Sequence, residues 1–125
     1  MRLLRCAVLA ALSLLVVSCT SGGGLVDELK VVNDTTYDLE VRVTDADRDG
    51  WVPLGRTRSG ETSTHYRVSD VGPVWIFRFE YPGRNDGPEV RMSRDDLAAD
   101  DWTVRVPETV ERALRSDGVE PSGRR

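Results

Sequence analysis

The chain has 125 residues, 39% of them hydrophobic and 30% charged, with a formal net charge of −4. That leaves room for one domain with a modest core and argues against a disordered chain. Lys30 is the single lysine, and no basic stripe is present. The acidic balance therefore argues against a nucleic-acid binder, whose affinity rests on neutralising phosphates. The preference for arginine over lysine points to a GC-rich genome.

The N-terminus reads as an export signal. Arg2 and Arg5 precede an apolar run from Cys6 to Val17. This run is too short for a bilayer core of about 30 Å, which takes roughly 20 helical residues. Positive start, apolar run and small-residue site together predict a signal peptide over residues 1–18.

The segment Val16-Val17-Ser18-Cys19 resembles the lipobox of bacterial lipoproteins: an aliphatic residue, a small or aliphatic one, Gly, Ala or Ser, then Cys. The resemblance implies a diacylglycerol on the Cys19 thiol, cleavage just before Cys19, and a fatty acid such as palmitate on the new amine. It also implies anchoring on the extracytoplasmic side of the cell membrane, or on the outer membrane where a cell has two. Val16 and Ser18 equally suit an ordinary signal peptidase at −3 and −1. Cysteine usage favours the lipobox. Cys6 falls in the signal, so the mature chain keeps one Cys, at its first position. An odd Cys in an exported protein needs an explanation, and lipid supplies one. Two or three acyl chains anchor stably, since each buried CH₂ adds about 0.8 kcal/mol. Loss of Arg2 and Arg5 takes the net charge from −4 to −6.

Residues 19–27 then read as the lipidated Cys and a flexible tether, with Thr20-Ser21-Gly22-Gly23-Gly24 at its centre. Five such residues span only about 12 Å, so the domain is held close to the membrane.

Residues 28–106 alternate with period two, the signature of half-buried strands. Strands are predicted over 29–32, 37–44, 51–54, 61–68, 74–81, 89–92 and 102–106. Tyr37, Leu39, Val41 and Val43 face inward in the second of these. Gly55 ends the third. Tyr66 and Val68 face inward in the fourth, which turns His65 outward. The fifth carries Trp75, Phe77, Phe79 and Tyr81 on one face and a half-apolar opposite face, so it is predicted to be central. About seven short strands with turn signals between them predict an all-β fold, a single small β-sandwich of immunoglobulin-like architecture without the paired cysteines. Ser93 to Leu97 has a capping-box outline and predicts a short helix. Residues 107–125 predict a second short helix, opened by Pro107 and ended by Ser116-Asp117-Gly118, then a disordered tail from Val119.

The body also resembles small lipoproteins of GC-rich bacteria over residues 29–107. The likeness rests on the opening VVNDTTYDLEVRV, the turn LGRTRSGET and the closing DDWTVRVP. It implies a sandwich and supplies no activity.

One stretch suggests a ligand. Asp45-Ala46-Asp47-Arg48-Asp49-Gly50-Trp51 resembles the first half of an EF-hand calcium loop, with acids at alternate positions and Gly at the sixth. Asp45, Asp47 and Asp49 would be ligands, with the Trp51 carbonyl as a fourth. Position 12, where that family has a bidentate Glu, is Arg56, and position 9 is Pro53. A polar hairpin loop explains the same residues. Enzymatic chemistry has little to draw on. His65 is the only histidine, and G-x-S-x-G and the phosphate-binding glycine motifs are absent from the sequence. The acid pairs Asp95-Asp96 and Asp100-Asp101 suit caps and solvated faces. The aromatic stripe suits a core better than a sugar platform, and Trp51 and Trp102 suit core anchors.

The sequence thus predicts a non-catalytic, membrane-anchored envelope lipoprotein without a cofactor, an interaction or accessory module for an envelope protein or cell-wall partner. Two other readings stay open: a calcium-binding envelope module, and a cell-wall hydrolase.

Overall fold

The computed structural model describes residues 24–122. The signal peptide, Cys19 and most of the tether lie outside the described residues.

Seven strands and two short helices follow in the order β1 (Leu25–Val32), β2 (Leu39–Thr44), β3 (Val52–Thr57), β4 (Thr62–Ser69), β5 (Val74–Glu80), β6 (Glu89–Ser93), α1 (Arg94–Ala99), β7 (Thr103–Arg105) and α2 (Glu108–Ser116). They form a three-stranded sheet, β4-β1-β7, and a four-stranded sheet, β3-β2-β5-β6. The fold is a small all-β sandwich. Every pairing is antiparallel except β1 with β7. A constant-type immunoglobulin domain puts its first, second, fourth and fifth strands in one sheet. Here the first strand shares its sheet with the fourth and seventh, so the likeness lies in the two-layer architecture and not in strand order.

The core forms where the alternation predicts it. Tyr37, Leu39, Val41 and Val43 are buried from one sheet, with Trp75, Phe77 and Phe79 beside them. Val26, Leu29, Val31, Val68 and Val104 close the other side. β5 is central, between β2 and β6. Trp75 and Phe77 stack at 6.0 Å, and Trp102 meets Trp75 edge-on at 5.7 Å. Burial of each such side chain contributes about 1.5–3 kcal/mol. The aromatic stripe is therefore core, apart from Tyr81 at its half-buried end.

Several sequence expectations shift. β1 begins at Leu25, inside the stretch assigned to the tether. β3 runs through Gly55, which takes φ +117 where the register against β2 slips. Only a residue at ease with positive φ fits there. Trp51 is no core anchor; its ring lies 4.0 Å from the Arg78 guanidinium. Arg78 and Arg42 both pair with Glu80, at 2.6 and 3.2 Å, and Glu80 is fully buried. A buried carboxylate is tolerable only with such partners.

The helix ends behave as their sequences demand. Ser93 Oγ accepts from the Asp96 N–H at 3.0 Å, capping α1. At the end of α2, the Val119 N–H donates to the Leu114 carbonyl and the Gly118 N–H to that of Arg115. With Gly118 at φ +75 this is a Schellman closure. It folds Val119 back onto Leu114 in the core, so residues 119–122 are docked rather than frayed. Tyr37 Oη donates to the Val119 carbonyl at 2.8 Å, and the Asp38 N–H to Ser122 Oγ at 2.7 Å.

Candidate functional site

Strand direction divides the domain into two poles. β1 starts at the pole where the chain enters, and the Asp70 N–H donates to the Gly24 carbonyl there at 2.9 Å. The same pole collects the 45–51 loop, the 70–73 connection and α1 with the turn after it. These three segments hold eight Asp and two Arg. Their net charge of −6 equals that of the whole chain after residue 18. Both arginines are already paired, Arg48 with Glu89 at 2.6 Å and Arg94 with Asp70 at 2.8 Å. Arg48 holds the Glu89 carboxyl below the usual carboxylate range.

In this structure the acidic loop does not gather the three carboxylates that its spacing lines up. Among the described residues no group of three or more His, Cys, Asp or Glu side chains could hold a metal ion. Asp45, Asp47 and Asp49 therefore do not converge. The loop closes by its own bonds, Arg48 N–H to the Asp45 carbonyl at 3.2 Å and Thr44 Oγ1 to the Gly50 carbonyl at 2.5 Å. Arg48 takes φ 57 and its side chain pairs with Glu89. The ring of Trp51, whose carbonyl is the fourth candidate ligand, lies under the Arg78 guanidinium.

His65 also departs from its expected place. Arg67 at φ 55 breaks the alternation of β4, so Val68 and His65 face the same side and Tyr66 points out, 66% exposed. The register agrees, with Val68 opposite Val26 and His65 opposite Leu29, both partners buried. His65 Nε2 meets Ser63 Oγ at 2.8 Å, and Ser63 Oγ in turn contacts Thr57 Oγ1. The Leu54 backbone lies near the imidazole and favours its charged form. This chain of bonds ties β4 to β3 across the edge where the two sheets meet. Ser beside His is the contact that a hydrolase would need, and among the described residues no carboxylate is hydrogen-bonded to the imidazole.

Burial pushes the His65 pKa down, and the bond to Leu54 offsets this in part. A folded-state pKa below the unfolded value of about 6.5 means the unfolded chain takes up the proton first. The contribution is complete above that pH and is lost as pH falls through it toward the folded value. The melting temperature of the soluble domain should fall between pH 7 and pH 5.5, and His65→Gln should flatten that fall. An equal fall in both proteins would assign the loss to other groups.

At the far pole a cleft of about 820 Å³ lies between the 36–38 and 58–61 turns, the end of α2 and the docked segment 120–122. Arg58 and Arg115 line it together with Asp38, Glu61 and Glu120. Glu111, behind it, accepts from the Thr36 hydroxyl at 2.5 Å, and this bond lowers its pKa. Neither sequence motif nor alternation marked this cleft, because it depends on the docking of residues predicted to fray.

No helix of the described residues is long and apolar enough to cross a membrane. Comparison with protein-family models, with curated proteins and with solved structures finds no match.

Proposed function

We propose that the protein is a non-catalytic lipoprotein of the cell envelope. In this reading it is held by lipid on Cys19 at the extracytoplasmic face of the cell membrane, or at the outer membrane in a cell with two. The domain then serves as an interaction or accessory module. The observation that carries the reading is Val16-Val17-Ser18-Cys19 at the end of a short apolar run, with five residues between Cys19 and the start of β1. The acidic entry pole fits this arrangement. Charge of one sign near anionic headgroups is repelled within a Debye length of about 8 Å. The short tether holds the entry pole near the membrane, and the repulsion keeps the domain from settling onto the surface.

The reading is tested by growing cells with a clickable palmitate analogue. The wild-type protein should carry label and partition with membranes. Cys19→Ala should lose the label and accumulate with its signal uncut or leave the membrane fraction. Equal label in both would overturn the anchor.

A further inference from the structure

The entry pole also contains an unfinished sheet. β7 pairs with β1 only at Lys30, Val31 and Val32. The preceding residues of β1, from Leu25 to Leu29, have a strand partner on the β4 side alone. On the other side a groove of about 500 Å³ separates this edge from Arg94, Asp101 and Trp102. The Lys30 N–H donates to the Trp102 carbonyl, and the Val32 carbonyl accepts from the Val106 N–H, each at 2.9 Å. These bonds fix which backbone groups look toward β7. Counting back two residues from Lys30 turns the N–H and C=O of Glu28 into the groove, whereas the Gly24 carbonyl, bonded to the Asp70 N–H, faces β4. The alternation breaks at Asp27 and leaves Leu25 as well as Glu28 looking outward. Leu25, 52% exposed, and the half-buried Trp102 provide apolar surface at its ends.

The charges lining the groove are unequal. Arg94 is taken up by Asp70 at 2.8 Å and lies 5.2 Å from the centre of the Trp102 ring. Asp27, Glu28 and Asp101 then face only Lys30, and none of these four has an ion-pair partner among the described residues. A second copy of the same edge would set Asp27 and Glu28 against their own like charges, which is unfavourable across a strand pair.

From this we infer that the free edge of β1 is a docking site for an extended segment of a partner protein that carries basic side chains. The segment adds as a strand beside Leu25–Leu29. Main-chain bonds supply the affinity, and the acids lining the groove supply the selection. The lane is about five residues long, or roughly 17 Å. The inference stands apart from the lipid anchor, because it concerns the folded domain alone.

The core runs from Val26 to Val119, so the domain can be tested as soluble residues 20–125. The probe is a synthetic peptide of alternating lysine and valine, with a glutamate–valine peptide and an N-methylated lysine–valine peptide as controls. Amide shifts and hydrogen exchange are read residue by residue. The lysine–valine peptide should give saturable shifts confined to residues 25–30, 94, 101 and 102, with slowed exchange at the Glu28 amide. Neutralising Asp27 and Glu28 together (Asp27→Asn, Glu28→Gln) should weaken binding about fivefold, as expected for exposed pairs. Glu28→Pro, which removes the donor facing the groove, should abolish it. The shift map and the N-methylated control keep the test decisive should that variant unfold. Three results would each overturn the inference: no saturable shifts, equal binding of the N-methylated peptide, or self-association through the same residues without peptide.

Discussion

Gly87→Ala is expected to destabilise the domain by about 3 kcal/mol or more, the upper end of the overpacking range. A Cβ at Gly87 would sit 2.0 Å from the Phe79 carbonyl oxygen and 2.8 Å from its carbon. No rotamer relieves this, because the obstacle is backbone. That backbone belongs to β5, which is held between β2 and β6. The Phe79 N–H donates to the Pro88 carbonyl at 3.0 Å, so the loop is pulled against the strand and cannot retreat without losing that bond. The comparison is with Gly50→Ala, where an added Cβ meets nothing within 4 Å and φ is unexceptional. Urea unfolding of residues 20–125 should show a midpoint lower by about 1 M or more for Gly87→Ala, given slopes of roughly 1–3 kcal/mol/M. Gly50→Ala should leave it unchanged. Equal midpoints would mean that the 81–88 loop is free to move.

Asn33→Ala should cost about 3 kcal/mol. Asn33 is fully buried and uses both ends of its amide. Its Nδ2 donates to the carbonyls of Tyr37, at 2.7 Å, and Thr57, at 3.0 Å. Its Oδ1 accepts from the Thr35 N–H at 3.1 Å and the Thr35 hydroxyl at 2.6 Å. One side chain thus shapes the 33–37 turn and fastens it to β3 of the other sheet. Truncation leaves the Thr35 N–H and a buried carbonyl without this partner, each costing about 1–3 kcal/mol. The Thr35 hydroxyl, 3.2 Å from the Tyr37 carbonyl, can recover part of the loss. Thr35→Ala should therefore cost less than Asn33→Ala, and Asn33→Ala/Thr35→Ala should cost more than either alone. Strict additivity of the two in thermal melts would show that the hydroxyl does not compensate.

Much of the framework was legible along the chain. Alternation at residues 37–43 and 75–79 reports a local geometry, since successive side chains of any strand point to opposite faces. Ser93 before Arg94 and Gly118 after α2 report helix ends for a similar reason, because the groups they satisfy lie within a few residues. The sites were less legible. The acids at 45, 47 and 49 have the spacing of a calcium loop, yet convergence needs a backbone path that spacing does not specify. Period two put His65 outside, and the positive φ of Arg67 put it inside.

The sequence by itself determined the strand count, the core faces of β2 and β5, the cap of α1 and the lipobox pattern, because each depends on residues close together along the chain. Only the tertiary structure decided which strands share a sheet, that Glu80 lies between Arg42 and Arg78, and that Phe79 leaves no room beside Gly87. It also decided that β7 stops short and leaves half of β1 without a partner on that side. These are contacts between segments distant along the chain. Their free energy comes from desolvation and from hydrogen bonds completed only on closure of the sandwich, so no local pattern of residues encodes them.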